Sequence, residues 1–240
     1  MNEYALYLES GPRRRTTMVH VLDLLGCIAR WPTTEAALEA TPDAIRTYLR
    51  FLQRHGEAVR PEDEFTTVIA EHVMEGSWLG NGDPTPGFTP DFQPLTAEDL
   101  NLYRRRLAWM QADMLQLIRD LPREQLLAEP EGRGRSIYGI LEHVAESHAV
   151  YLRYQVGKVD GLPQAMRAVR QGAEDLPAAL THLWQVADAR LEAMTETERR
   201  QSVPHGQVTW TARRALRRML EHQWEHLLEI SERLDKRSKE

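Results

Sequence analysis

The chain has 240 residues, of which 42% are hydrophobic and 28% charged, with a net charge of −6. That length is generous for one domain and comfortable for two, and the composition supports buried cores. The acidic balance argues against a general nucleic-acid binder, which carries a basic excess. A single cysteine, Cys27, excludes an intramolecular disulfide and makes a reducing cytosol the expected compartment. The N-terminus "MNEYALYLES" lacks the basic start and apolar run of a signal peptide. The most apolar stretch, "MVHVLDLLGCIA", is interrupted by His20 and Asp23 and is too short to span a membrane. A soluble, cytoplasmic protein is the expectation.

In chain order, "YALYLES" alternates like a strand, "GPRRR" reads as a charged turn, and "TTMVHVLDL" and "GCIARW" are further strand-like runs. "TTEAALEATPDAIRTYLRFLQRHGE" is helical: Thr33 or Thr34 caps it, Ala37, Ala40, Ile45, Tyr48, Leu49 and Leu52 form an apolar stripe, and Gly56 ends it. Pro42 inside that stretch predicts a kink or a break into two helices. "FTTVIAEHV" follows as a fourth strand. The order β-β-β-α-β over residues 1–76 describes a small α+β domain with a helix on one sheet face. The triplet Arg13-Arg14-Arg15 reads as a solvated turn, with contact to RNA or phosphate as the alternative. Cys27 reads as a buried small hydrophobe.

Residues 77–96, "SWLGNGDPTPGFTPDFQPLT", carry no helical or strand period and read as a linker. Its aromatic residues Trp78, Phe88 and Phe92 suggest that it packs along a surface. From residue 97 to 240 the pattern is all helix. Thr96 caps the first helix and Pro122 closes it; Ser136 caps the second and Gly157 stops it; the third runs from Asp175 to Arg199; the fourth spans "TARRALRRMLEHQWEHLLEISERL". A short helix around "LPQAMRAVRQG" fills one connection. Four amphipathic helices of this length predict an all-α up-and-down four-helix bundle.

His222 and His226 are four residues apart on the last helix and share a face with Ala215, Met219 and Ile230. Imidazoles on an inward face need partners, and a metal ion is one such partner. Two hydrogen-bonded scaffold histidines remain the alternative. His143, on a stripe with Ile140, Ser147 and Tyr151, is the best third ligand. Without paired cysteines, a three-histidine site suits zinc, nickel or a similar divalent ion. His148, five residues beyond His143, reads as a core-edge or surface residue; His182 is a lesser candidate ligand, and His205 a solvated residue or substrate contact. Glu146 and Glu225 follow His143 and His222 by one turn; each is a candidate acid/base or histidine-orienting group, or simply a solvated charge.

"SIYGILEHVAESHAVYL" and "WTARRALRRMLEHQWEHLLEI" resemble the second and final helical segments of the DinB-like metalloprotein superfamily, over residues 97–236. The resemblance implies a four-helix bundle with His143, His222 and His226 as metal ligands. It further implies a metal-dependent hydrolase or a transferase acting on a low-molecular-weight thiol, and a homodimer. "YALYLES" and "HVLDLLGCIARWPTTEAALEATPDAIRTYLRFLQRHGE" are similar to HicB-type antitoxin domains, with Leu24-Leu25-Gly26-Cys27 where that family has Leu-Pro-Gly-Cys. That similarity implies a regulatory module pairing with a HicA-like toxin or with its own copy. The helical half stands where such proteins carry a DNA-binding element, so operator binding is not expected.

Overall fold

The computed structural model describes residues 2–14, 16–76, 78–82, 85–172 and 175–237. Arg15, the last of the expected basic triplet, lies outside the described residues, as does Ser77 at the start of the expected linker. The chain forms two compact units, Met1–Gln93 and Pro94–Glu240. No helix among the described residues is long and apolar enough to cross a membrane.

The first unit is built from β1 (Asn2–Ser10), β2 (Thr17–Val21), β3 (Cys27–Trp31), α1 (Thr34–Arg54) and β4 (Phe65–Val73), in the β-β-β-α-β order read from the sequence. The sheet runs β3-β2-β1-β4. β2 is antiparallel to both of its neighbours, and β4 is parallel to β1. Parallel pairing requires a crossover, and α1 supplies it. Thr33 caps α1 by accepting from the Ala36 amide at 3.1 Å. The stripe Ala37, Ile45, Tyr48, Leu49 and Leu52 is buried with Leu6, Leu8, Met18, Val19 and Val21 of the sheet.

α1 runs unbroken through Pro42, where a break was one of the expected outcomes. Proline removes one helical donor, but Pro42 is exposed, so water can reach that side of the helix, and the Thr41 hydroxyl donates to the Ala37 carbonyl at 2.7 Å. Ser10, Thr17 and Thr34 place three hydroxyls in mutual contact at 2.7, 2.8 and 3.3 Å, which lets these buried polar groups satisfy one another. Gly26 adopts φ +110°, the conformation that lets the chain turn into β3 and bury Cys27. Residues 78–82 and 85–93 belong to this unit: Phe88 is buried against Tyr7 and His20, and Leu79 is buried too. At Gly80, φ +77°, a Cβ would come within 2.1 Å of the Thr16 carbonyl oxygen, so only glycine fits.

The second unit contains α2 (Ala97–Ile118), α3 (Arg123–Leu127), α4 (Ile137–Val156), α5 (Leu162–Arg170), α6 (Leu176–Glu192), α7 (Glu196–Arg200), a hairpin of β5 (Ser202–His205) and β6 (Val208–Thr211), and α8 (Ala212–Arg237). Thr96 and Ser136 cap α2 and α4 as expected from the sequence, accepting from the amides of Asp99 and Gly139. α8 packs on α2 and α4, and α6 packs on the same two helices. Arg104 of α2 and Asp188 of α6 form a two-pronged ion pair at 2.7 and 2.8 Å.

Two expectations for this half are corrected. The third long helix ends at Glu192 instead of reaching Arg199, because Thr195 and Glu198 form a capping box that starts the separate helix α7. The unit is also not wholly helical: "SVPH" and "VTWT" pair antiparallel around Gly206, whose φ of +61° suits the reversal. The hairpin delivers Trp210 into the core and Thr211 to the start of α8, where its hydroxyl accepts from the Arg214 amide at 3.1 Å.

Candidate metal centre

α4 and α8 lie against each other and bring His143, His222 and His226 together, with one ligand atom of each lying within 4.8 Å of those of the other two. The ring centroids are 4.7 Å apart for His143 and His222, 5.3 Å for His143 and His226, and 4.6 Å for His222 and His226. The local cause is helical geometry: positions four apart on α8 stack on one face, and His143 meets that face from α4. His222 and His226 are buried, whereas His143 is half-buried.

The donor set fits a divalent ion. An ion bound by three imidazoles at about 2.0–2.1 Å in tetrahedral geometry holds its ligand atoms about 3.3 Å apart. The Nε2 atoms of His143 and His222 are 3.0 Å apart, close to that spacing, and the ligand atoms of the whole set lie within 4.8 Å of one another. Burial, with the nearby positive charge of Arg135 and the adjacent His226 ring, pushes the His143 pKa down to about 4. Burial first, then His226 and His143, pushes that of His222 well below the ordinary imidazole value. Both rings are therefore neutral near pH 7 and keep a lone pair for coordination.

His226 carries a further device. Its Nδ1 lies 2.7 Å from Oε2 of Glu229, one turn along α8. A carboxylate only accepts, so Nδ1 bears the proton and Nε2 presents its lone pair. Glu229 is itself held by Arg233, which also donates to the Arg135 carbonyl at the entry to α4. The hydrogen bond from His226, helped by the charge of Arg233, outweighs burial and holds the Glu229 carboxyl below its usual range. Sequence reading passed over Glu229, although its three-residue spacing from His226 was visible.

The other sequence candidates are placed as follows. Glu146 is exposed on α4 and ion-pairs with Arg170 of α5. Glu225 is half-buried on α8. His148 is fully buried rather than at an edge: its Nε2 donates to the Met219 carbonyl at 3.1 Å, and burial lowers its pKa to about 4. One turn of α8 before His222, at Met219, this bond ties α4 to α8 just below the cluster. His182 is exposed on α6. His205 is exposed on the hairpin and packs at a tilt against the Tyr154 ring, with its Nε2 donating to the Tyr154 carbonyl at 3.0 Å. Tyr151 stacks on Trp210 at 5.6 Å and stands edge-on to His222 at 6.3 Å, so aromatic packing flanks the cluster.

A family model described as the DinB superfamily matches residues 106–230, slightly more than half of the chain. The chain belongs to the DinB superfamily. The matched stretch contains all three clustered histidines and Glu229. No curated protein and no solved structure matches the chain.

Proposed function

We propose that this DinB superfamily member is a four-helix-bundle metalloprotein that binds one divalent ion, zinc or nickel, through His143, His222 and His226. The observation that carries the reading is the convergence of three imidazoles on two packed helices, with His226 held in the metal-ready tautomer by Glu229. Three protein ligands leave a coordination position free, and the half-buried His143 is the member of the cluster that solvent reaches most. When bound there, such an ion lowers the pKa of a water or thiol and can polarise an electrophile. The activity we assign is accordingly that of a metal-dependent hydrolase or a low-molecular-weight-thiol S-transferase. In this reading the protein's own groups orient the ligands through Glu229 and Arg233, while Glu146, which must leave its ion pair with Arg170, and Glu225 are the candidate carboxylates for proton transfer. The protein works in the cytoplasm as a homodimer.

A second reading has a specific observation behind it. The first unit has the β-β-β-α-β order and the Gly26-Cys27 turn that suggested a HicB-type module. On this view the module engages a protein partner, and the metal is structural.

Metal analysis of protein purified without added metal, beside His226→Ala, tests the first reading. Near-stoichiometric zinc or nickel that is lost in the variant supports it and justifies screens for thiol transfer and hydrolysis. Absence of metal from the wild type, with none taken up on dialysis, overturns it and leaves the histidines as scaffold.

A further inference from the structure

β4 is the open edge of the first unit's sheet. Among the described residues it pairs with β1 on one side and with no strand on the other. Both of its faces are exposed: Thr66, Thr67, Val68, Ile69 and Ala70 are all solvent-accessible, with Val68 at 46% and Ile69 at 49%. The opposite edge, β3, has five residues to the nine of β4, and its first three are buried. Proteins blunt exposed edges with lysine, proline, short strands or bulges, because a row of free amides and carbonyls recruits another strand. "FTTVIAEHV" has neither lysine nor proline. A register shift does bulge Ala70 against β1, but Phe65–Ile69 before it is regular.

We propose that β4 pairs antiparallel with β4 of a second copy of this chain, joining two four-stranded sheets into one of eight. The occupant is argued from the strand's own symmetry. A two-fold axis at Thr67 sets Phe65 opposite Ile69, Thr66 opposite Val68, and Thr67 opposite its own copy. Aromatic or β-branched residues then face one another, with a Thr–Thr pair at the centre, the combinations that stabilise cross-strand contacts. Within Phe65–Ile69 no charged residues meet; beyond it Glu64 falls opposite the bulged Ala70 and Asp63 opposite Glu71, so the pairing is confined to those five residues. Arg46 stacks on the Phe65 ring at 4.9 Å and Tyr4 meets it edge-on at 5.4 Å, so the end of the pairing segment is already fixed in position. This inference places the interface that the homodimer reading leaves open, and it is independent of the metal site.

The test uses the full-length protein. Thr67→Cys places a thiol on the axis, and the native Cys27 is buried, so oxidation reports the new residue alone. The expected result is a covalent dimer on mild oxidation of Thr67→Cys and none from Glu98→Cys, an exposed position on α2. In sedimentation equilibrium, Val68→Lys/Ile69→Lys is expected to weaken the dimer at least ~100-fold, because each lysine replaces an apolar partner of Thr66 or Phe65 and the two lysines at position 68 lie diagonally across the axis. Both side chains are exposed, so the variant should keep its circular dichroism and melting profile. A wild-type monomer at tens of micromolar overturns both the homodimer and this interface. A dimer that resists the lysines, with no Thr67→Cys cross-link, overturns the interface alone.

Discussion

His226 donates its Nδ1 proton to Glu229 across 2.7 Å, and the same carboxylate is gripped by Arg233 one turn further along α8. A single helix thus carries a proposed ligand, the group that fixes its tautomer, and the cation that keeps that group ionised. Three residues spaced 226, 229 and 233 share one face, so the relay needs no other element to assemble it.

Glu229→Gln should therefore weaken metal binding by about 10–100-fold without unfolding the protein. The amide can still accept from Nδ1, but it carries no charge to strengthen the imidazole as a donor to the ion. Competition with a chromogenic zinc chelator reads the affinity directly. Unchanged affinity would remove Glu229 from the site's design.

The metal-free protein should lose stability as pH falls from about 6.5 towards 4. His143 and His148 have folded pKa values of about 4, below the unfolded value of about 6.5. Within that window the unfolded chain binds protons that the folded chain refuses, so acid favours unfolding. The contribution is complete above about pH 6.5 and is lost as pH drops through the folded values. For the fully buried His148 the gap is worth on the order of 3 kcal/mol. Half-exposed His143 contributes less, because solvent screens it. Thermal melts of chelator-treated protein between pH 4 and pH 7.5 check the slope; a flat midpoint across that range would contradict it.

Pro42→Ala should stabilise the first unit by about 1–3 kcal/mol. The substitution restores a helical amide in the middle of α1 and relieves the ring's clash with the preceding turn. A smaller loss opposes the gain, since proline also restricts the unfolded chain by about 0.4–1 kcal/mol. Because Pro42 is exposed, no core contact is sacrificed. Chemical denaturation followed by circular dichroism measures the change, and a destabilised variant would show that the proline shapes the helix usefully.

Much of this molecule was legible from the chain alone, because the deciding interactions are local. Thr33, Thr96 and Ser136 cap their helices with side chains three residues from the amides they satisfy. Alternation in β1 and the apolar stripe of α1 mark which faces are buried. The spacing of His222 and His226 places both on one side of α8 whatever surrounds them. Only the tertiary structure could decide the rest. His143 stands 79 residues before His222, and the packing of α4 on α8 is what brings their nitrogens to 3.0 Å. The rotation of α4 about its axis sends Glu146 to Arg170 and buries His148 against Met219, an outcome set by neighbours and not by its own sequence. The Ser202–Thr211 hairpin forms where short β-branched runs find a glycine turn and a core for Trp210, a weak local signal completed by long-range burial. Whether β4 is covered or bare likewise depends on how far α1 reaches across the sheet, a matter of assembled geometry that no local pattern records.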